Sequence, residues 1–490
     1  MKKTLLIFGL LMLVLPMKAQ NFEDYKNKKK QEMERYKDSV QQDYYQYRQK
    51  ANEDYARFMR VQWEQFQSIK GDPVPEIPEP PQPYEREKDE PIPKLPIKHN
   101  NVITVPKPTP DPMEPLKRPD IPAIPVAPSL PEFNFVFYGT PCLVHLDPEV
   151  KFQLKDVKEK TVADVWTQLS EGLSEVLLED LLHLREELAL GDWAFFCLVR
   201  DFSEQCFGKG SNEAVLMESY MMAQSGYKVR IARTDSGNLA MLLSFDSDVY
   251  QVSYLPLNGE KFYIMDNGKG KNSGYYVFNR SFTENDRSVS LRMPRTPKLA
   301  FKLSGEKTFE SKRYPEMRVT LSLNRNLMDF YEGYPKCVWT NYCWAGLSDE
   351  VKAKLYPVLR KNIEGKGQIE AANCLINFVQ TAFPYKADDQ QFGCERSLFA
   401  DETFFFPYSD CEDRSILFSV LVRDLLGLDV VLLFYPDHLA TAVHYTESLS
   451  GTYLILDGKT YYISDPTYIG ANVGECMPRY VNSNPEVYKL

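Results

Sequence analysis

From Phe22 to Phe66 apolar and aromatic residues return every eleven positions. Phe22, Met33, Tyr44, Tyr55 and Phe66 form one series; Tyr25, Tyr36, Tyr47 and Phe58 form a second, three residues on. Eleven residues in three turns is 3.67 per turn, so both series share one face of a nearly straight helix. The pattern predicts a helical segment over 21–70, with a stripe about 68 Å long if the helix is continuous. Charges of both signs beside the stripe read as a solvated face. The stripe itself needs cover, from self-association, a protein partner bound through 22–66, or the chain's own globular part.

After the stripe, helical and strand patterns both vanish. Of the 34 prolines, 19 lie between Pro73 and Pro131. Proline fixes φ and lacks a backbone donor, so 71–132 reads as an extended, polyproline-rich linker that separates the helix from the globular part.

Beyond it the sequence repeats itself. The block Trp166 to Glu171 recurs as Trp344 to Asp349, and Cys197-Leu198-Val199 recurs as Cys374-Leu375-Ile376. "AVLMESYMMAQSGYKVRI", with a helix stop at Gly226, matches "SILFSVLVRDLLGLDVVL", with its stop at Gly427. Tyr254 to Asp266 matches Tyr453 to Asp465. Four blocks in the same order indicate a duplication, with copies at 133–290 and 291–490 and an insertion between Phe383 and Asp410 in the second. In that copy Ile369, Ala372, Leu375, Val379 and Ala382 recur at helical spacing, and an apolar helix runs from Cys411 to Leu426. Strands are expected at 428–435, 439–446, 452–456 and 460–464, with Asp457-Gly458 as a hairpin turn. The fold class is therefore α+β, with helices packed on antiparallel sheet in two tandem domains.

Composition narrows the function. The chain has 490 residues, 58 basic against 68 acidic, and offers no basic face for phosphates, which argues against nucleic-acid binding. Residues 1–19 carry Lys2, Lys3, an apolar run from Leu5 to Leu15 and Ala19, the layout of a secretory signal; the run is short for a membrane span. A secreted or periplasmic location follows, where the nine cysteines could form disulfides, the odd count leaving at least one without an internal partner. Cys337 and Cys343 lack companions at metal-ligand spacing, so no metal and no cofactor is expected.

The candidate chemistry lies in the second copy. Ser409-Asp410-Cys411-Glu412 has capping-box spacing, with Ser409 as N-cap, which puts Cys411 in the first turn of a helix, where the dipole favours a thiolate. Asp410, Glu412 and Asp413 oppose that charge, so the thiolate needs a cation as well. His438 follows the Tyr435-Pro436-Asp437 bend; His444 lies further along the same strand. Asp465 ends a later strand, before Pro466, where its carboxylate can orient an imidazole. Cys411 as nucleophile, His438 as base and Asp465 as orienter make a candidate triad. Tyr385 and Gln391, in the insertion, are the candidate side-chain donors to an oxyanion beside the Cys411 backbone N–H, and the insertion, with aromatic residues from Phe404 to Tyr408, is a candidate cover for the cleft.

"SDCEDRSILFSVLVRDLLGLDVVLL", "HLATAV" and "YYISDPTY" resemble the three motifs of the transglutaminase-like superfamily, whose bacterial members include secreted, papain-related cysteine enzymes. The resemblance covers roughly 366–475 and implies the same roles for Cys411, His438 and Asp465. In the first copy Gly210 stands opposite Cys411 and Gly237 opposite His438, with Asp266 alone matching Asp465, so that copy reads as catalytically dead. The expected function is a cysteine-dependent enzyme acting on amide or peptide bonds of a protein or peptide substrate through an acyl-thioester, as a hydrolase or acyl transferase. The alternatives are an inactive binding module on the same fold and an adapter on a helical stalk.

Overall fold

The computed structural model describes residues 42–61, 63–75, 83–87, 95–105, 130–172, 174–265, 274–284 and 286–490, with short stretches at 28–30, 35, 39–40 and 112. The expected signal and the first members of the stripe, Phe22, Tyr25, Met33 and Tyr36, lie outside them.

Residues 42–59 are helical (α1), as the stripe predicts, but the helix ends there and Glu64–Gln67 form a strand (β1). The expectation of helix through 70 is corrected. The edge of the first sheet offers unpaired N–H and C=O groups, which β1 takes in antiparallel register while Phe66 packs on that sheet's apolar face. The chain itself covers much of the stripe. The Tyr55 ring lies 4.9 Å from that of Trp166 and 5.7 Å from that of Phe282. Trp63 stacks on Phe278 at 3.6 Å. Asn52 accepts the Trp166 indole N–H at 2.9 Å, and Arg48 is paired with Glu175 at 2.8 Å. Tyr47 stays exposed.

A second short strand, Val102–Thr104 (β2), also precedes the globular part. The first half then runs through a hairpin, β3 (Glu132–Phe137) and β4 (Thr140–His145). Four helices follow: α2 (Glu159–Ser170), α3 (Glu175–Glu187), α4 (Asp192–Phe207) and α5 (Asn212–Gln224). The strands are β5 (Val229–Thr234), β6 (Leu239–Ser244), β7 (Tyr254–Leu257), β8 (Glu260–Ile264) and β9 (Gly274–Val277), in the sheet order β1-β9-β5-β6-β8-β7.

The second half opens with another hairpin, β10 (Lys307–Glu310) and β11 (Arg318–Leu321). Helices α6 (Arg325–Glu332), α7 (Trp339–Ala345), α8 (Asp349–Ile363) and α9 (Gln368–Ala382) follow. The insertion holds α10 (Asp388–Gln391) and α11 (Ala400–Phe405), and α12 (Cys411–Leu426) comes next. Its strands are β12 (Val430–Tyr435), β13 (His438–Val443), β14 (Tyr453–Leu456), β15 (Lys459–Ser464) and β16 (Glu486–Lys489), ordered β14-β15-β13-β12-β16-β2. The architecture is α+β. Read from β16, the second order matches that of the first sheet read from β9, with β1 and β2 each added outside. The tight turns match too: Asn258-Gly259 and Asp457-Gly458 all have positive φ, as a two-residue hairpin turn of the primed type requires.

The described parts of the proline-rich segment touch both sheets. Asp72 pairs with Lys261 at 2.9 Å, Tyr84 C=O accepts from Ile469 N–H at 2.8 Å, and Arg86 pairs with Glu475 at 2.7 Å. Ile97 is buried and donates its N–H to Tyr453 at 2.8 Å, and β2 runs parallel to β16. Composition alone suggests a spacer standing clear of the globular part. Proline removes only its own donor, and the residues between prolines supply the N–H groups that dock this segment.

Candidate functional site

Helix α12 occupies the residues its apolar pattern predicts and ends at Gly427, which has φ 66° and ψ 27°, the left-handed stop. Its start differs by one residue from the expected box. Asp410, not Ser409, is the N-cap, because the Asp413 carboxylate accepts both the Asp410 N–H at 3.2 Å and the Leu398 N–H at 2.8 Å. Ser409 instead accepts from Arg414 Nε at 3.3 Å. Cys411 is thus the first helical residue. Its Sγ donates to Glu412 at 3.3 Å. Ser415 Oγ donates to Leu439 C=O at 2.9 Å, so the first turns of α12 are pinned to β13 one residue beyond His438.

Strand β13 begins at His438, paired across the bend with Tyr435. Adjacent strand β15 delivers Asp465 just past its end, and His438 Nε2 lies 2.9 Å from Asp465 Oδ2. Asp465 is itself held by the Thr467 N–H at 2.8 Å on Oδ1. The imidazole lies nearly parallel to the Tyr480 ring at 5.2 Å, and Tyr480 stacks in turn on Tyr435 at 4.6 Å and donates its hydroxyl to Asp437 at 2.9 Å. Carboxylate and stack together fix the ring. His438 Nδ1 is buried and has no hydrogen-bond partner among the described residues. No hydrogen bond joins it to Cys411 Sγ among the described residues. His444 follows β13 and its Nδ1 faces Thr460 C=O at 2.9 Å, away from this pair.

The electrostatics oppose a resting thiolate. Burial pushes the Cys411 thiol well above its ordinary range, the Asp410 charge pushes the same way, and the Leu439 N–H pulls weakly back. Burial likewise raises Asp410, Glu412 and Asp413, each further raised by acidic neighbours. A helix-dipole contribution of about 0.3–1 kcal/mol is smaller than one close like-charge contact, which is about 4 kcal/mol at 4 Å near a protein surface. Arg414, buried beside them, gives its guanidinium to the Phe383 carbonyl at 2.7 Å, and burial lowers it to about 10.

The insertion is built into the core rather than forming a free loop: α11 buries Phe404 against Phe309 and Phe383. Tyr385 runs beside Ser409, its ring under Arg414 at 5.2 Å, and its buried hydroxyl has no partner. Burial raises that hydroxyl strongly, and the Cys411 charge raises it further. Gln391 donates to Tyr408 C=O at 3.3 Å. Tyr480 and Asp388 are parts of this region that sequence reasoning missed. Tyr480 carries no motif signal, and Asp388 lies in an insertion without a counterpart in the first half.

In that half, α5 begins after Ser211, which caps it in the ordinary way by accepting the Ala214 N–H at 3.1 Å, and β6 begins at Leu239. Asp266 lies outside the described residues. All nine cysteines are free thiols; Cys337 and Cys343 are buried, with burial raising them to about 12 and about 11. The grouping among the described residues that brings metal-capable atoms together is Asp388, Asp410 and Glu412. No helix among the described residues is long and apolar enough to cross a membrane. No protein-family model matches the chain, and neither a curated protein nor a solved structure matches it.

Proposed function

We propose that the chain is a secreted or periplasmic cysteine enzyme of transglutaminase-like design, with a signal at 1–19, a degenerate copy over 133–290 and a working copy over 291–490. The matching strand orders support the duplication. One observation carries the catalytic reading: Asp465 engages His438 Nε2 and leaves Nδ1 buried without a partner among the described residues, one residue before Leu439, whose carbonyl accepts from Ser415 of the helix that Cys411 opens.

In this reading His438 Nδ1 takes the Cys411 proton as sulfur attacks an amide carbonyl carbon. The tetrahedral oxyanion is met by the Cys411 N–H and a side-chain donor from the insertion, for which Tyr385 and Gln391 are the candidates. His438 returns the proton to the departing amine, the C–N bond breaks, and a thioester remains. Water, or a second amine, then attacks the thioester carbon, gives a proton to His438, and releases the Cys411 thiol as that proton returns to sulfur. Hydrolysis is the preferred outcome, since water needs no second binding site.

A second reading, an inactive binding or adapter protein, is favoured by the Cys411 thiol being fully buried and bonded to Glu412. The test is competition between thiols. At neutral pH a peptide-like electrophile should label Cys411 ahead of the exposed Cys394, and His438→Ala should reverse that preference. Labelling confined to Cys394, or labelling of Cys411 unaffected by His438→Ala, sinks the enzyme reading.

A further inference from the structure

Three carboxylates from two elements converge at the start of α12. Asp388 opens α10, Asp410 caps α12 and Glu412 is its second residue; one carboxylate oxygen from each lies within 4.8 Å of the others. Acidic groups at a surface are kept apart by water and need no explanation. These are at most 2% exposed, and among the described residues Asp388 Oδ1, Asp410 Oδ1 and Glu412 Oε1 have no partner outside the cluster, Asp410 and Glu412 having only each other. Desolvating an unpaired carboxylate costs several kcal/mol. The nearby guanidinium groups are engaged elsewhere: Arg414 on the Phe383 carbonyl at 2.7 Å, and Arg396 on Glu402 at 2.6 Å. Asp388 Oδ2 has only the Arg396 backbone N–H, at 2.6 Å.

We propose that Asp388, Asp410 and Glu412 bind a hard divalent cation, Ca2+, in a site that flanks Cys411 on both sides along the chain. The donors are all oxygen, which suits Ca2+ and disfavours zinc. Two ligands on opposite sides of a Ca2+ ion with bonds of 2.3–2.6 Å stand roughly 5 Å apart, and these oxygens, all within 4.8 Å of one another, lie inside that limit. Tyr385 is bridged to Ser409, the residue before Asp410, and its buried hydroxyl has no partner among the described residues. Water completes the shell.

The site is read without substrate, so it stands or falls separately from the cysteine chemistry. Full-length protein stripped with chelator is titrated with CaCl2 by calorimetry and with Tb3+ by tyrosine-sensitised luminescence. One site per chain is expected, with Asp388→Asn and Glu412→Gln each weakening it on the order of 100-fold. Both variants keep side-chain shape and remove a buried charge, so the cation-free fold should persist by circular dichroism. Ca2+ should raise the melting temperature of the wild type and not of the double variant. Cys411→Ala should bind Ca2+ as the wild type does, and loss of binding there would overturn the all-oxygen ligand set. A wild type that gives no heat, no luminescence and no thermal shift, or a double variant that binds as tightly as the wild type, overturns the site.

Discussion

The two halves of this chain share a strand order and a hairpin turn yet differ in the insertion that only the second carries and, beside it, at the start of the helix that leads into the sheet. In the first half Ser211 caps α5 and the polar atoms there find ordinary partners. In the second, α12 starts amid buried carboxylates, an uncharged thiol and a tyrosine hydroxyl with no partner. A fold that needs only a helix on a sheet is satisfied by the first arrangement. The second sets unfavourable polar burial against the same scaffold, as happens where chemistry or ligand binding has been selected over stability.

The largest effect expected from breaking this contrast is on the thiol. Cys411→Ala should abolish turnover, by on the order of 10^4 or more, measured with an amide substrate found by screening. Ser211→Ala, at the cap of α5, should cost about 1 kcal/mol in denaturant unfolding and leave Cys411 labelling unchanged. Next comes the stripe. Tyr55→Ala should destabilise the first half by about 3–5 kcal/mol in urea titration, since the ring packs between Trp166 and Phe282. An unchanged unfolding midpoint would mean that α1 is a separate stalk.

A pH series compares the halves directly. Burial raises Glu218 in the first half and Glu402 in the second to about 7, although each is paired with arginine. Both folded values exceed the ordinary 4.5, so the folded state holds extra protons between these limits. Stability is therefore fullest at low pH within that window and is lost as pH rises through 7. Each group should account for on the order of 3 kcal/mol between pH 5 and 8, and Glu218→Gln or Glu402→Gln should flatten its own share of the slope. The smallest effect should be shared. Gly259→Ala and Gly458→Ala, both at positive φ, should each cost about 1 kcal/mol, and a large inequality would break the equivalence of the turns.

Much of the second half was legible before any coordinates. The period of Ile369 to Ala382, the span of α12 and the Asp457-Gly458 turn are local patterns, and a local pattern survives folding when packing agrees with it. Strand β16 was not legible, because Glu486 to Lys489 is too short for a period to show, although Asn484-Pro485 marks a turn just before it. The end of α1 was missed for another reason: helical periodicity continues through Phe66, while pairing with β9 claims the backbone at Glu64. The helix cap was misplaced by one residue because Ser409 and Asp410 both satisfy the sequence rule, and the choice fell to Asp413, which reaches the Asp410 N–H and the Leu398 N–H together.

By itself the sequence determined the α+β composition, the repeat and three residues worth testing, since spacing and residue type carry those. Tertiary structure decided the rest. It joined His438 to Asp465 while leaving Cys411 on Glu412, laid the proline-rich segment along two sheet edges, and carried Asp388 to Asp410 and Glu412. The reason is physical: hydrogen bonds and charge contacts between residues far apart in sequence depend on distances that only packing sets, and burial strengthens each of them by removing water.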